Sequence, residues 1–325
     1  MTRELPYVAA MNEALHLEMT RDEDVLLIGQ TVGEEHYESF KEFGSARVRV
    51  TPISETAEIG MATGAALAGK RPVVDATMAE FLLVAMGQVV NEANRVHYMT
   101  GGQLRAPIVI KAGYGFAAGW AGQHTSAPYG MVMGVPGLKV ALPSTPADAK
   151  GLMATAVRDD NPVLYLHHFL LLLERGPVPE GEYLVPFGVA DIKRPGSDVT
   201  VVATGWTVHR ALAAAERLSD EGIDVEVIDP RTIAPLDVET ILASVARTGR
   251  LVLVDQATRH ASVSAVIAGE VAEHGLSSLR APVVQVTALD TTLAYSQPME
   301  EYVLPDEGKI AAAVRQVAGV KAGAM

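Results

Sequence analysis

Short apolar runs alternate with amphipathic segments along most of this chain of 325 residues. Runs of this length, separated by segments of helical periodicity, are typical of parallel sheets flanked by helices. The pattern therefore predicts an α/β protein with two domains, each a mainly parallel sheet flanked by helices. In the first half the predicted strands are 25–28, 72–76, 107–112, 138–142 and 163–166, and the predicted helices are 7–19, 57–68, 80–99 and 147–157.

The segment 174–198 separates the two predicted halves. It holds four prolines and four glycines among scattered charges, a composition typical of a linker between domains. We therefore expect a first domain over residues 1–185 and a second over residues 186–325. In the second domain the predicted strands are 199–203, 225–228, 251–254 and 283–286, and the predicted helices are 207–218, 236–246, 262–273 and 307–317.

Composition and charge narrow the classes of function. The formal net charge of −13 does not suit a phosphate-binding surface, so nucleic acid is not an expected partner. The apolar run 164–173 is too short to span a bilayer and contains two histidines. The chain has no cysteine, which excludes disulfides and thiolate nucleophiles and suits a reducing compartment. We expect a cytoplasmic protein without a membrane partner.

Glu55 and Glu58 stand at the start of a predicted helix that is rich in glycine and alanine. A purely structural interpretation makes Ser54 the helix cap and lets the exposed amides of the first turn favour both carboxylates. Gly60 and Gly64 nevertheless lower the stability of this helix, which is unexpected if its role is only structural. They indicate that another backbone or a flat ligand comes close to this helix.

Other motifs are less informative. Residues 113–118 match a dinucleotide-binding fingerprint, but turn-forming residues follow them. The first acidic residue after this segment is Asp148, which is too far along the chain, so a nicotinamide site is not expected. His124 lies in a loop after a predicted strand, where parallel sheets present functional groups, although a solvated or capping histidine is the alternative. His167 and His168 are predicted to be packed or hydrogen-bonded locally, and histidine and carboxylate spacing predicts no transition-metal site.

Ordered blocks over residues 5–318 resemble the beta subunit of thiamine-diphosphate-dependent 2-oxo acid dehydrogenases, members of the transketolase-like family. The blocks include "TPISE", "GMATGAALAGKRPV", "QVVNEANRVHYMTGGQ", "GQHTS" and "VEVIDPRTIAPLD". The resemblance implies a transketolase-like pyrimidine-binding domain over 1–185 and a transketolase C-terminal domain over 186–325.

The same resemblance implies an oxidoreductase that decarboxylates a 2-oxo acid and passes the acyl group to a lipoyl carrier. The beta subunit of an acetoin dehydrogenase or of an acyloin-forming carboligase, with the same cofactor chemistry, is the alternative. A chain that only supports an assembly, without taking part in catalysis, is an alternative from a different class.

Three side chains acquire roles from this resemblance. Glu55 is expected to hydrogen-bond the aminopyrimidine N1′ of thiamine diphosphate, and Phe81 to pack against the ring, an ordinary core phenylalanine being the alternative. His124 is expected at the substrate end, as a proton donor or a stabiliser of a developing oxyanion. Carbonyl oxygens at four positions match a potassium site of some relatives: Ile108, Ala156, Asp159 and Asn161.

Two further features concern partners and substrate. The chain lacks the G-D-G motif that binds diphosphate and Mg²⁺ in the family, which implies an alpha subunit that supplies this site, in an assembly of two alpha and two beta chains. A dihydrolipoyl acyltransferase is the implied acceptor of the acyl group.

Three stretches of the sequence depart from the family pattern. Residues 165–173 lack charges that relatives carry, Thr125 and Ser126 follow His124 where relatives usually have Ser-Gln, and Gly134 replaces a common histidine. These departures leave the substrate open.

Overall fold

The structure is a computed structural model that describes residues 2–115, 119–260 and 262–319. The chain divides into two compact units. Unit 1 comprises Met1–Tyr114 and Val132–Phe187, and unit 2 comprises Gly115–Met131 and Gly188–Met325. Both units are mainly parallel sheets flanked by helices, which confirms the predicted fold class. The units are groups of mutually packed residues, and the predicted domain boundary after residue 185 stays a prediction.

Unit 1 contains most of the elements that the apolar pattern predicts, together with several short ones. In chain order they are β1 (Thr2–Pro6), α1 (Tyr7–Arg21), β2 (Val25–Gly29), α2 (Val32–Glu35), α3 (Tyr37–Arg47), β3 (Val48–Val50), α4 (Glu55–Leu67), β4 (Arg71–Met78), a 3₁₀ helix (Ala79–Ala85), a π-helix (Gly87–Asn94), α5 (Val96–Met99) and β5 (Val109–Tyr114). The boundary between the units falls inside the short helix α6 (Gly130–Met133). After it come β6 (Lys139–Ala141), α7 (Pro146–Arg158), β7 (Val163–His168), a 3₁₀ helix (Phe169–Leu171) and β8 (Arg175–Pro179).

Six strands of unit 1 form a parallel sheet in the order β6-β7-β5-β4-β2-β3. The central strands are buried along their whole length, as expected for a parallel sheet covered on both faces. Because all six strands run in one direction, their carboxyl ends meet at a single edge. Gln30, Thr51 and the last residues of β4, β5 and β7 lie at this edge.

Two parts of unit 1 differ from the prediction. The expected helix over 80–99 is divided into a 3₁₀ turn, a π-helix and a short α-helix, which the apolar periodicity alone does not reveal. The expected linker 174–198 contains β8, which pairs antiparallel with β1. Gly176 and Val178 alternate with exposed residues along β8, so a half-buried strand is present despite the prolines.

The larger part of unit 2, which starts at Gly188, opens with a strand that was also expected to be linker. In chain order its elements are β9 (Asp191–Arg194), β10 (Val199–Ala203), α8 (Trp206–Ser219), β11 (Val225–Asp229), β12 (Thr232–Ala234), α9 (Val238–Thr248), β13 (Leu251–Thr258), α10 (Val263–His274), a 3₁₀ helix (Leu276–Ser278), β14 (Val284–Ala288), α11 (Gln297–Val303) and α12 (Glu307–Ala318). Its sheet has the order β14-β13-β10-β11-β9, and only β9 is antiparallel within it.

The core of unit 2 lies between this sheet and two helices. Apolar side chains of β10, β11 and β13 pack with one face of α8 and one face of α12. Residues of both helices recur in this core at helical spacing, which is why the apolar periodicity found them. In the described part of the chain, no helix has both the length and the apolar content that a membrane span needs.

Candidate active site

Glu55 is the first residue of α4 and is 8% exposed. Its helix begins directly after the carboxyl-end edge of the sheet, because the short strand β3 ends at Val50. The predicted cap is wrong in one respect, since the Ser54 side chain makes no cap hydrogen bond. The Ser54 carbonyl accepts from the Glu58 amide at 2.9 Å, as the first helical turn requires. The start of α4 is thus closed by a backbone hydrogen bond and not by a side-chain cap from Ser54.

Two polar residues from the sheet edge contact the carboxyls of α4. The Gln30 amide donates to Glu55 Oε1 across a long 3.5 Å hydrogen bond. The Thr51 hydroxyl donates to Glu58 Oε1 at 2.7 Å. Burial raises the pKa of Glu58, and the bonds from Thr51 and the Ser54 segment oppose that rise. Sequence reasoning missed both Gln30 and Thr51, although each directly follows a strand of the parallel sheet.

Phe81 lies in the 3₁₀ turn after β4 and is partly buried. This turn is fixed to the start of α4, because the Thr56 hydroxyl donates to the Val84 carbonyl at 3.0 Å. Leu83 and Val84 on the same turn are 40% and 63% exposed. The structure therefore brings the segments that carry Glu55 and Phe81 together in unit 1, beside apolar side chains that solvent reaches.

The two glycines of α4 behave differently. A Cβ built at Gly60 lies 3.6 Å from the Gln88 side chain, which is ordinary contact. A Cβ built at Gly64 meets no described atom within 4 Å. No described residue of this chain therefore packs against Gly64, and the prediction that another backbone or a flat ligand comes close to this helix stays a prediction.

His124 belongs to unit 2, in a turn-rich loop after β5. The loop is closed by backbone hydrogen bonds, including His124 N to the Ala121 carbonyl at 3.3 Å. Two buried carboxyls of unit 2 anchor the same segment. Glu300 accepts from the Gly119 amide at 3.1 Å, and Asp255 accepts from the Tyr129 hydroxyl. The fingerprint-like residues Phe116, Ala117 and Ala118 lie outside the described residues, and the next helix after them begins only at Gly130.

A second polar cluster lies at the carboxyl-end edge of unit 1. One potential metal-ligand atom of each of Glu35, His36 and Asp75 lies within 4.8 Å of the others. Sequence spacing did not predict this grouping, because Glu35 and His36 lie at the end of α2 and Asp75 lies in β4. Lys111 contacts the Asp75 carboxylate directly and lies 3.9 Å from Glu35. A lysine ammonium thus already balances these carboxylates, and a metal ion at the same place would be repelled by it.

His36 of this cluster and the nearby His167 carry little charge near neutral pH. Burial, followed by the charge of Lys111, lowers the pKa of His36 to about 4 and that of His167 to about 3. A cavity of about 340 Å³ opens beside Asp75, Lys111 and His167. His168 accepts a hydrogen bond from the Leu170 amide at 3.1 Å, as predicted for a locally bonded histidine, whereas His167 Nδ1 is buried without a partner among the described residues.

The four positions expected to bind potassium are partly occupied by hydrogen bonds of the chain. The Ile108 carbonyl accepts from the Val163 amide at 2.9 Å, and the Ala156 carbonyl accepts from the Asp159 amide at 3.2 Å. The Asp159 carbonyl accepts from the Arg71 guanidinium at 3.0 Å. The Asp159 carbonyl therefore lies next to a cationic side chain.

Two family models match this chain. Residues 3–170 match the family model "Transketolase, pyrimidine binding domain", and residues 188–310 match "Transketolase, C-terminal domain". A solved structure described as a split-gene transketolase, an inactive beta4 tetramer, shares the fold with a TM-score of 0.79 at 22% identity, covering 98% of this chain and 99% of that one. The fold and its two matched domains define the transketolase-like class.

Sequence relatives show which members of the transketolase-like class this chain resembles. The acetoin:2,6-dichlorophenolindophenol oxidoreductase subunit beta of Cupriavidus necator is 40% identical, covering 97% of this chain and 98% of the relative. The 2-oxoisovalerate dehydrogenase subunit beta of Bacillus subtilis is 38% identical, covering 97% of this chain and 98% of the relative. The pyruvate dehydrogenase E1 component subunit beta of Rickettsia felis is 41% identical, covering 95% of this chain and 96% of the relative. The chain belongs to this family, the beta subunits of thiamine-diphosphate-dependent 2-oxo acid and acetoin dehydrogenases.

Proposed function

We propose that the chain is the beta component of an enzyme that decarboxylates a 2-oxo acid and passes the acyl group to a lipoyl carrier. The family supports this, and one structural observation carries it. Glu55 is buried at the start of α4, yet among the described residues it receives only one hydrogen bond, the long one from Gln30. A buried carboxyl with unused hydrogen-bonding capacity suits an external polar partner. A cytoplasmic location is part of the proposal.

Thiamine diphosphate, when bound, supplies a carbon nucleophile for the substrate carbonyl. Glu55 would hold a proton at the pyrimidine N1′ of the cofactor, which is the role that the resemblance gives it. Phe81 would pack against the pyrimidine, because its turn is fixed beside the start of α4 and neighbouring Leu83 and Val84 are exposed. The residues of unit 1 therefore fit the face of a flat heteroaromatic ring and one of its ring nitrogens.

His124 would move a proton at the reacting carbon or stabilise the oxygen next to it. Its loop suits this task because Glu300 and Asp255 anchor the surrounding segment through Gly119 and Tyr129. A histidine is suited to proton transfer near neutral pH.

The diphosphate end requires a second chain. No G-D-G motif occurs in the sequence, so we propose that an alpha subunit holds Mg²⁺ and the diphosphate, in an assembly of two alpha and two beta chains. A dihydrolipoyl acyltransferase would then receive the acyl group. Potassium at Ile108, Ala156, Asp159 and Asn161 has weaker support, because the Arg71 guanidinium already contacts the Asp159 carbonyl. No step is assigned to that ion.

The test is Glu55→Gln in the chain reconstituted with its alpha partner. Turnover should fall by roughly 10²-fold or more if the carboxyl works in proton transfer. Glu38→Gln is the matched control, because Glu38 is an exposed glutamate at the start of α3 and should leave turnover unchanged. Full activity of Glu55→Gln would reject the proposal and favour a chain that only supports the assembly.

A second candidate substrate is acetoin, because two relatives at 40% and 38% identity are acetoin:2,6-dichlorophenolindophenol oxidoreductase beta subunits. An acyloin-forming ligase belongs to the same alternative. The reconstituted pair should be assayed with pyruvate, branched 2-oxo acids and acetoin, using lipoamide or 2,6-dichlorophenolindophenol as the acceptor. A higher kcat/KM for acetoin than for every 2-oxo acid would select the alternative.

A further inference from the structure

The loop that carries His124 lies within unit 2, which includes the segment Gly115–Met131. A Cβ built at Gly119 would lie 3.3 Å from the Tyr295 carbonyl. Gly119 also has a left-handed backbone, with φ of +90°. The backbone that precedes His124 therefore lies directly against the segment that leads into α11.

Glu300, in α11, is a buried carboxyl that faces this loop. The Gly119 amide donates to both of its oxygens, at 3.2 Å to Oε1 and at 3.1 Å to Oε2. Glu300 is 0% exposed, and burying a carboxyl is costly where a leucine would fill similar space without that cost. The bond from Gly119 accounts for a carboxyl at this position, because a carboxylate is a stronger acceptor for a backbone amide than a neutral group is.

Two residues after Gly119 the chain makes the turn that holds His124. Ala121 is buried and has φ of +58°, a left-handed conformation that residues with a side chain rarely adopt. Its carbonyl accepts from the His124 amide at 3.3 Å and from the Thr125 hydroxyl. A strained turn of this kind keeps its shape only when neighbouring contacts hold it. The Glu300 bond at Gly119 is such a contact, so it fixes the backbone from which His124 projects.

We propose that Glu300 is a positioning residue that holds the His124 turn through the Gly119 amide. This inference rests on the proposed function, in which His124 acts at the reacting carbon of the substrate. Glu300 transfers no proton itself, because both of its oxygens are directed to the loop backbone. Its effect on the reaction is therefore the effect of the place that it gives to His124.

The first variant is Glu300→Leu in the chain reconstituted with its alpha partner. It removes the acceptor of the Gly119 amide, and kcat should fall roughly tenfold, because a displaced catalytic group rapidly loses efficiency. Affinity for thiamine diphosphate, measured by calorimetric titration, should stay within about twofold of the parent, since Glu55 and Phe81 belong to unit 1. Glu300→Gln keeps an oxygen that accepts from Gly119 and should retain at least about a third of the parent kcat.

Dependence on His124 is tested by Glu300→Leu in a His124→Ala background. Because the proposed effect passes through His124, the second substitution should lower the residual turnover by less than about twofold. A further loss of roughly tenfold in the double variant would overturn the inference, as would a parent-like kcat for Glu300→Leu.

Gly119→Ala tests the same contact from the loop side, which keeps a test available if Glu300→Leu does not fold. Alanine disfavours φ of +90°, so the Gly119 amide should turn away from Glu300. We expect the same fall in kcat, the same unchanged affinity for thiamine diphosphate and the same dependence on His124. A parent-like kcat for Gly119→Ala would overturn the inference.

Glu226→Leu is the matched control. It removes another buried carboxyl of unit 2, whose hydrogen bonds come from Ser244 and Arg247, so kcat should stay unchanged whatever its effect on stability. An equal fall in kcat for Glu226→Leu would show a general effect of lost carboxyls and would overturn the inference. Thermal unfolding of each variant shows whether a loss of turnover reflects a loss of fold.

His124→Ala alone distinguishes this inference from the proposed function. Parent-like turnover would reject the role of His124 in the proposed function, and this inference with it. Impaired turnover of His124→Ala, together with parent-like Glu300→Leu and Gly119→Ala, would reject only the positioning role of Glu300.

Discussion

The ammonium group of Lys111 contacts the carboxylate of Asp75 at the carboxyl-end edge of the unit 1 sheet, where each side chain is 4% exposed. Burial alone would raise the pKa of Asp75, but the adjacent lysine holds it below its usual range. Two charges buried in this way depend on each other, because either one alone would remain in a region of low polarity.

Lys111→Met is therefore expected to destabilise the chain by about 3–5 kcal/mol, the usual consequence of leaving one buried charge unpaired. Urea denaturation of the isolated chain measures the free energy of unfolding. Lys70→Met is the matched control, because Lys70 pairs with Asp24 at the surface and its loss should change stability little. Equal effects of the two substitutions would show that the buried pair does not stabilise the fold.

His36 gives unit 1 a predictable sensitivity to acid. Its pKa falls from 6.5 to about 4 in the folded chain, chiefly through burial, so the unfolded chain takes up a proton first as the pH falls. Stability should consequently decrease from pH 6.5 toward pH 4. His36→Gln should reduce this slope of unfolding free energy against pH by up to the equivalent of one bound proton. An unchanged slope in His36→Gln would contradict the burial argument.

Local signals predicted much of the fold. The helix predicted at 307–317 is observed as Glu307–Ala318, with the Asp306 side chain accepting from the Lys309 amide at its start and Gly319 left-handed at its end. A helix cap and a terminal glycine are sequence-adjacent features, so one sequence reveals them. The prediction of one continuous helix over 80–99 was wrong because 3₁₀, π and α turns have similar apolar spacing, and only packing decides among them.

The candidate site was predicted less completely. Glu55 was predicted because its block resembles a family motif, and its position at the start of α4 is as expected, while its role stays a prediction. Gln30 and Thr51 were missed because they are brought to Glu55 and Glu58 only by the pairing of β2 with β3 and β4. Lys111 and Asp75 were missed for the same reason, since neighbouring strands in a parallel sheet are distant in sequence.

Gly113 is required by the close approach of Phe169. A Cβ at residue 113 would lie 2.3 Å from two carbons of the Phe169 ring and 3.1 Å from His167 Nε2. Gly113→Ala should therefore cost about 1–3 kcal/mol through overpacking, measured by denaturant unfolding. Phe169→Leu in the same chain should recover part of this loss, because a shorter side chain makes room for the methyl group. A Gly113→Ala chain as stable as the parent would show that the ring moves aside freely.

Gly64 and Gly69 provide a comparison in which only the backbone differs. A Cβ at either position meets no described atom within 4 Å, so neither substitution by alanine causes a clash. Gly64 lies inside α4, where alanine should stabilise the isolated chain by about 0.5–1 kcal/mol. Gly69 has φ of +95°, a conformation that alanine disfavours, so Gly69→Ala should destabilise by about 1–2 kcal/mol. Thermal unfolding of the two variants side by side measures both signs. A shift in the same direction for both would mean that the backbone at residue 69 relaxes to accept a side chain.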